Sequence, residues 1–158
     1  MGDRLGHLRA AAEQLDEILS EPEMSSVWET EPLIVEDQPR FLNMVFSGGW
    51  DGSPEDLLRQ LWIIEDAEGR NRSGVRPKGP RPLDLDIILF GDRVIRTGML
   101  TVPHPGVRDR AFVLVPLREL DPELRDPGDG VLYASLIDSI ENQGIICYRN
   151  REPEGRLL

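Results

Sequence analysis

The stretch that most constrains this chain runs from Gly79 to Phe90, where Gly79-Pro80-Arg81-Pro82 leads straight into Leu83-Asp84-Leu85-Asp86-Ile87-Ile88-Leu89-Phe90. The proline-broken half reads as loop and the apolar half as strand. Side chains alternate across a strand, so Asp84 and Asp86 fall on one face, about 7 Å apart along the backbone, while Leu83, Leu85, Ile87 and Leu89 take the other. Ile88 and Phe90 continue the aspartate face, which sends its far end into the core and leaves the two carboxylates at the opening end, near solvent. Whatever the fold, it has to bury this segment while keeping two acids at a rim.

Two carboxylates at i and i+2 supply hard oxygen ligands of the kind Mg2+ takes in phosphate chemistry, where one or two carboxylates act together with the substrate's own phosphates. An isolated Asp-x-Asp is more often a solvated strand face, so its neighbours decide. Arg70, Arg72, Arg76, Lys78 and Arg81 stand directly upstream in a chain of net charge -11, so cations that clamp phosphate precede anions that hold a metal. That net charge argues against a general nucleic-acid or anionic-membrane surface while leaving room for a local basic pocket. Neither Gly-x-x-x-x-Gly-Lys-Ser/Thr nor Gly-x-Gly-x-x-Gly occurs, so any nucleotide phosphate here is held by arginines rather than by the commonest backbone cradles.

A chain of 158 residues, 39% hydrophobic and 30% charged, reads as one globular domain over 1–158 with a polar, frayed tail at 149–158. No apolar run spans a bilayer, no signal peptide opens the sequence, and Cys147 is alone, so the expected setting is the cytoplasm. Leu5, Leu8, Ala12, Leu15 and Leu19 recur at helical spacing behind Asp3, and Pro22 closes that helix. Strands are expected over Ser25–Thr30 and Phe41–Phe46, joined by an acidic, proline-bearing loop at 31–39 suited to a lid. Ser53, Pro54 and Asp56 start a second helix that runs to about Glu68, with Leu57, Leu58, Leu61 and Ile64 as its buried stripe and Glu65 near the stripe's edge. Residues 69–82 follow as a long functional loop. Arg108–Leu120 reads as helix or strand, and 132–141 as a short helix.

Gly79-Pro80-Arg81, Leu83-Asp84-Leu85-Asp86-Ile87 and Val102-Pro103-His104-Pro105 together resemble the signature of the hydroxymethyldihydropterin pyrophosphokinases. The likeness extends in order from Gly2-Asp3-Arg4 through Gln38-Pro39-Arg40-Phe41-Leu42-Asn43 and Arg110-Ala111-Phe112-Val113-Leu114 to about Pro127. It implies an α/β (α+β) sandwich of ferredoxin-like arrangement, a mainly antiparallel sheet with helices on its faces, and it favours helix over strand at Arg108–Leu120. It also implies ATP-dependent transfer of a β,γ-diphosphoryl unit to the hydroxymethyl oxygen of 6-hydroxymethyl-7,8-dihydropterin, a step of folate biosynthesis, in a monomer that binds neither nucleic acid nor membrane.

By the same resemblance Asp84 and Asp86 hold two Mg2+ ions, Arg70 and Arg81 reach the phosphates, and Glu65, Arg72, His104 and Arg110 contact the nucleotide. Thr30, Leu33, Phe41 and Asn43 match the pterin-facing positions. Three departures bear on affinity: Pro77-Lys78 stands where the family offers a stacking tryptophan, Met99 replaces an arginine, and Pro105 occupies a position where tyrosine occurs. The family also carries an apolar strand ahead of its Gly-Asp-Arg, which this chain reaches at Gly2, so a gap is expected beside the Asp84 strand, filled by residues of a start lying further upstream, which is the favoured reading, by Gly144–Tyr148 or by a second copy of the chain. Two rival readings survive at this level, a catalytically silent nucleotide-binding module and a metal-dependent phosphohydrolase.

Overall fold

Asp3 starts the first helix as a cap, its Oδ1 accepting the Gly6 amide at 2.9 Å, and α1 runs from Arg4 to Ile18 with Ala11, Ala12 and Leu15 buried. The computed structural model describes residues 3–30, 40–69, 82–140 and 143–151. Within them follow β1 (Ser20–Met24), β2 (Val27–Thr30), β3 (Phe41–Asn43), β4 (Phe46–Gly49), α2 (Pro54–Ala67), β5 (Ile95–Arg96), β6 (Thr101–Val102), α3 (Ala111–Leu120), α4 (Tyr133–Leu136), a 3-10 turn (Ile137–Ser139) and β7 (Ile146–Arg149).

The α+β class with antiparallel pairing is borne out, and the strands are divided among small sheets: β3-β2-β7, β1-β4 and β5-β6. Helix α1 ends at Ile18, before Pro22, which lies inside β1. Among the described residues β1 pairs with β4 alone, and its register shifts between Ser20 and Glu23, which accommodates a residue with no N–H to donate. The single strand expected at Phe41–Phe46 is two, β3 and β4, which pair with different partners. Helix α2 begins as expected, with Ser53 Oγ accepting the Asp56 amide at 3.1 Å and Pro54 at its first position. The ambiguous Phe112-Val113-Leu114-Val115 run is helical, in α3, which is buried along most of its length and carries Pro116 inside.

Leu83–Phe90 corrects the strand expectation, because the segment is extended but belongs to no ladder. A strand is defined by a neighbour as much as by its own residues, and none lies alongside among the described residues. Side-chain packing holds the segment instead. Leu83 and Ile87 are buried with Ala11, Leu15, Leu58, Leu61 and Ile64 in one core, while Ile88 and Leu89 pack against a second core formed by Val107, Val113, Leu114, Leu117 and Tyr133. The expected alternation therefore holds through Ile88 and then slips, since Leu89 joins the second core and Phe90 the first. The slip coincides with the turn closed by the Arg93 amide on the Phe90 carbonyl, where Gly91 has φ +54.

The Ile145-Ile146-Cys147 run does not fill the space beside Leu83–Phe90; β7 pairs antiparallel with β2, with Trp28 opposite Cys147 and Glu29 opposite Ile146. At the expected tail, Arg149 closes β7 and the Arg151 amide donates to Ser26 Oγ at 2.8 Å, while 152–158 lie outside the described residues.

Candidate active site

The two aspartates sit where the alternation of Leu83 to Ile87 puts them, Asp84 and Asp86 exposed and Leu83 and Ile87 buried. The segment that carries them is fixed by side-chain and corner contacts rather than by a sheet. Upstream, Glu65 Oε1 accepts the Leu85 amide at 2.8 Å. Downstream, the His104 amide donates to the Ile88 carbonyl at 2.8 Å, which draws the Val102-Pro103-His104-Pro105 corner against the aspartates. The Val102–Pro103 bond in that corner is cis.

His104 is turned by its neighbours. Its Nδ1 accepts the Gly106 amide at 3.0 Å, so in the neutral ring the proton is on Nε2. That nitrogen lies 4.0 Å from Asp86 Oδ2, too far for a hydrogen bond, and the N–H is left to donate to a third group placed at the same rim. Arg110 caps the start of α3 with its guanidinium 5.7 Å from the Phe112 ring centroid. It also lies against Gly106, where an added Cβ would stand 2.5 Å from Arg110 Nε. His104, Gly106, Arg110 and the Asp84-Asp86 pair are thus gathered by one corner.

Glu65 departs from expectation. It is inside the buried stripe of α2 rather than at its edge, 1% exposed beside Leu61 and Ile64. Arg70, Arg72 and Arg81 lie outside the described residues, as does most of the proposed lid and the arginine loop. Met99, where the family has an arginine, is 53% exposed.

Three of the four positions expected to face the pterin, Thr30, Phe41 and Asn43, meet across the β2–β3 register, which sets Thr30 opposite Phe41 and Trp28 opposite Asn43. Asn43 Nδ2 donates to Thr30 Oγ1 at 3.0 Å, so the amide is oriented with Oδ1 free of partners among the described residues. Thr30 is buried and Phe41 is 49% exposed, while Leu33 lies outside the described residues. The same end of the sheet is tied to α1 by Arg4, whose guanidinium donates to the Arg40 carbonyl and meets Glu29 at 3.3 Å. Glu29 also faces Arg40 at 3.6 Å, so these three bracket both ends of the 31–39 segment. The sequence reading passes over them because the contacts join positions far apart in the chain. His7 bonds through Nδ1 to Glu68 Oε2 at 2.8 Å and so ties α1 to the end of α2, where the arginine loop begins.

As a metal site the aspartate pair fits Mg2+ in the chemistry of its donors. Both ligands are hard oxygens on exposed side chains, and among the described residues no group of three or more His, Cys, Asp or Glu forms a protein-only cage. That is the pattern of an ion whose remaining positions are completed by substrate phosphates and water. The arrangement can neutralise a polyphosphate at one rim and orient a heterocycle at the end of β2 and β3.

Comparison with known proteins agrees with this chemistry. The family profile of 7,8-dihydro-6-hydroxymethylpterin-pyrophosphokinase matches residues 1–122. The 2-amino-4-hydroxy-6-hydroxymethyldihydropteridine pyrophosphokinase of Pseudomonas aeruginosa is 43% identical over 122 residues, covering 77% of this chain and 74% of that protein. Its counterpart in Aquifex aeolicus is 38% identical over 128 residues, covering 80% and 78%. The folic acid synthesis protein fol1 of Schizosaccharomyces pombe is 38% identical over 150 residues, 94% of this chain, but the chain spans only 20% of that longer protein. With the aspartate pair, the histidine corner and the asparagine–threonine contact in place, the chain belongs to the 7,8-dihydro-6-hydroxymethylpterin-pyrophosphokinase family.

Proposed function

We propose that the chain carries out the reaction of its family, transferring the β,γ-diphosphoryl unit of ATP to the hydroxymethyl oxygen of 6-hydroxymethyl-7,8-dihydropterin and releasing AMP. The observation that carries this is the pair of exposed aspartates held beside a histidine whose Nε2–H faces the same rim. In the transfer the pterin hydroxyl oxygen attacks the β-phosphorus, the bond from that phosphorus to the α-phosphate oxygen breaks, and the hydroxyl proton passes to a carboxylate, Asp84 or Asp86. Little covalent chemistry is asked of the protein; it aligns the hydroxyl with the scissile bond and offsets charge on the phosphates. Two Mg2+ ions, when bound by Asp84 and Asp86, would neutralise the triphosphate.

The chain's own groups divide the remaining work. His104 donates its Nε2–H to a phosphate oxygen, since Nδ1 is committed to the Gly106 amide. Arg110, steered by Gly106, adds a guanidinium beyond the corner, and Arg70, Arg72 and Arg81 supply the cations that the missing backbone cradle would otherwise replace. Asn43, with Nδ2 given to Thr30, offers its Oδ1 to a donor on the pterin edge, and exposed Phe41 offers a ring face. Thr30 and Leu33 complete that side.

We place the reaction in the cytoplasm, in a monomer. Among the described residues no helix is long and apolar enough to cross a membrane, and Cys147 is a free, exposed thiol. Product analysis tests the function: with ATP, Mg2+ and the pterin alcohol the protein should form AMP and the pterin diphosphate in equal amounts. ADP or phosphate without AMP would identify a hydrolase, and binding without turnover a silent module.

A further inference from the structure

We propose that Glu65 is a positioning residue for the two aspartates, holding from inside the core the peptide unit that joins Asp84 to Leu85. The proposal rests on the reading of Asp84 and Asp86 as the metal-holding pair and gives Glu65 a different task from the nucleotide contact that resemblance implies. At 1% exposure, flanked on its own helix by Leu61 and Ile64, Glu65 is closed to a nucleotide. A carboxyl group in that setting is costly, and an apolar side chain would pack there at less cost, so its presence calls for a polar partner. One such partner is the Leu85 amide, which donates to Oε1 at 2.8 Å.

The position of that amide makes the bond consequential. In extended backbone the N–H points sideways, towards where a neighbouring strand would lie, whereas the side chains of the flanking residues project from the face. A bond at Leu85 therefore sets the lateral position and roll of the segment without touching the face that carries Asp84 and Asp86. Among the described residues Leu83–Phe90 belongs to no ladder, so no described sheet fixes this roll. The next backbone anchor is the His104 amide on the Ile88 carbonyl, beyond the aspartates. Glu65 and His104 hold the segment on either side of Asp86, and Glu65 acts between the two carboxylates themselves.

The test measures metal affinity directly, using Mn2+ detected by electron paramagnetic resonance in the complex of the full chain with α,β-methylene ATP, and compares it with the affinity for the analogue in the absence of divalent cations. Glu65→Gln keeps an acceptor oxygen and should bind Mn2+ within about threefold of the unaltered protein. Glu65→Leu should weaken Mn2+ binding by about tenfold or more, the fold-change of one hydrogen bond to a charged group, and speed exchange of the Leu85 amide, with metal-free analogue binding nearly unchanged. Should Glu65→Leu not fold, Glu65→Asp keeps the charge but is one methylene too short, and it should show the same loss and the same faster exchange. Equal impairment in Glu65→Gln and Glu65→Leu would overturn the proposal, as would unchanged Mn2+ affinity in a folded Glu65→Leu or Glu65→Asp. Unchanged Mn2+ affinity in Asp84→Asn and Asp86→Asn would instead remove the metal reading beneath it.

Discussion

Gly106→Ala is the most pointed test of how the histidine corner is built. A Cβ on residue 106 would stand 2.5 Å from Arg110 Nε, 2.7 Å from its Cζ and 3.1 Å from its Cδ. Ordinary carbon contacts begin near 3.5 Å, so the guanidinium has to retreat by about 1 Å. The obstructing atoms are the far end of a flexible side chain, so the fold tolerates the change and the melting temperature should move little. Misplacing a substrate-clamping group by 1 Å costs up to about a hundredfold in rate, and losing one hydrogen bond to a charged group costs about 1.5–3 kcal/mol. Gly106→Ala should therefore lower kcat/KM for ATP by about tenfold to a hundredfold while pterin affinity holds. The decisive assay is a double-mutant cycle with Arg110→Ala. If Gly106 acts by steering Arg110, Gly106→Ala has almost no further effect once Arg110 is truncated. Additive losses would refute the steering argument, and an unchanged kcat/KM in Gly106→Ala alone would refute the role of Arg110 in binding ATP.

Other outcomes follow from the same geometry. Asp84→Ala and Asp86→Ala should each abolish AMP formation while leaving the thermal transition within a few degrees, because both side chains are exposed; full activity in either would sink the metal assignment. Asn43→Ala should weaken pterin binding by about tenfold or more with ATP-analogue binding unchanged, since the amide that Thr30 orients is lost, and calorimetric titration showing equal loss for both ligands would contradict it. The third concerns acid stability. Burial pushes Asp126 up, but hydrogen bonds from Arg108, the Gly128 amide and Tyr133 more than reverse this, so its carboxyl lies below its ordinary value of 3.8. A carboxylate lowered by folding contributes stability that is present above the unfolded value and lost as pH falls through the folded one. The gap in melting temperature between the unaltered protein and Asp126→Asn should thus be full at neutral pH and close below about pH 4; a gap independent of pH would exclude a charge-dependent clasp.

What was legible in the sequence tracks the range of the interactions involved. Helices α1 and α2 announce themselves because their causes are local: Asp3 and Ser53 cap within three residues, and the buried stripes repeat along the helix. The burial of Leu83 and Ile87 with exposure of Asp84 and Asp86 is equally local, a consequence of backbone alternation. The ladder that the same residues imply is not local, because it needs a partner from elsewhere, and the apolar run stays extended by packing between two cores instead. Strand Phe41–Phe46 divides for a related reason. Two neighbours compete for it, and Ser25, whose amide donates to the Val45 carbonyl and whose Oγ accepts the Val45 amide, holds the break between β3 and β4.

The site shows the same division at Glu65, for which the resemblance implies a nucleotide contact. That role rests on the resemblance alone, whereas the spacing of Leu58, Leu61 and Glu65, at i, i+3 and i+7, already puts the acid on the buried side of the helix. What the spacing does not contain is the group met there, because that depends on where Leu83–Phe90 crosses α2. Once that crossing exists, the 2.8 Å bond gives the Leu85 amide an acceptor and the Glu65 carboxylate one of its donors, where an amide left without an acceptor would be unfavourable. Disturbing the bond between Glu65 and the Leu85 amide should therefore disturb the aspartates on either side of it.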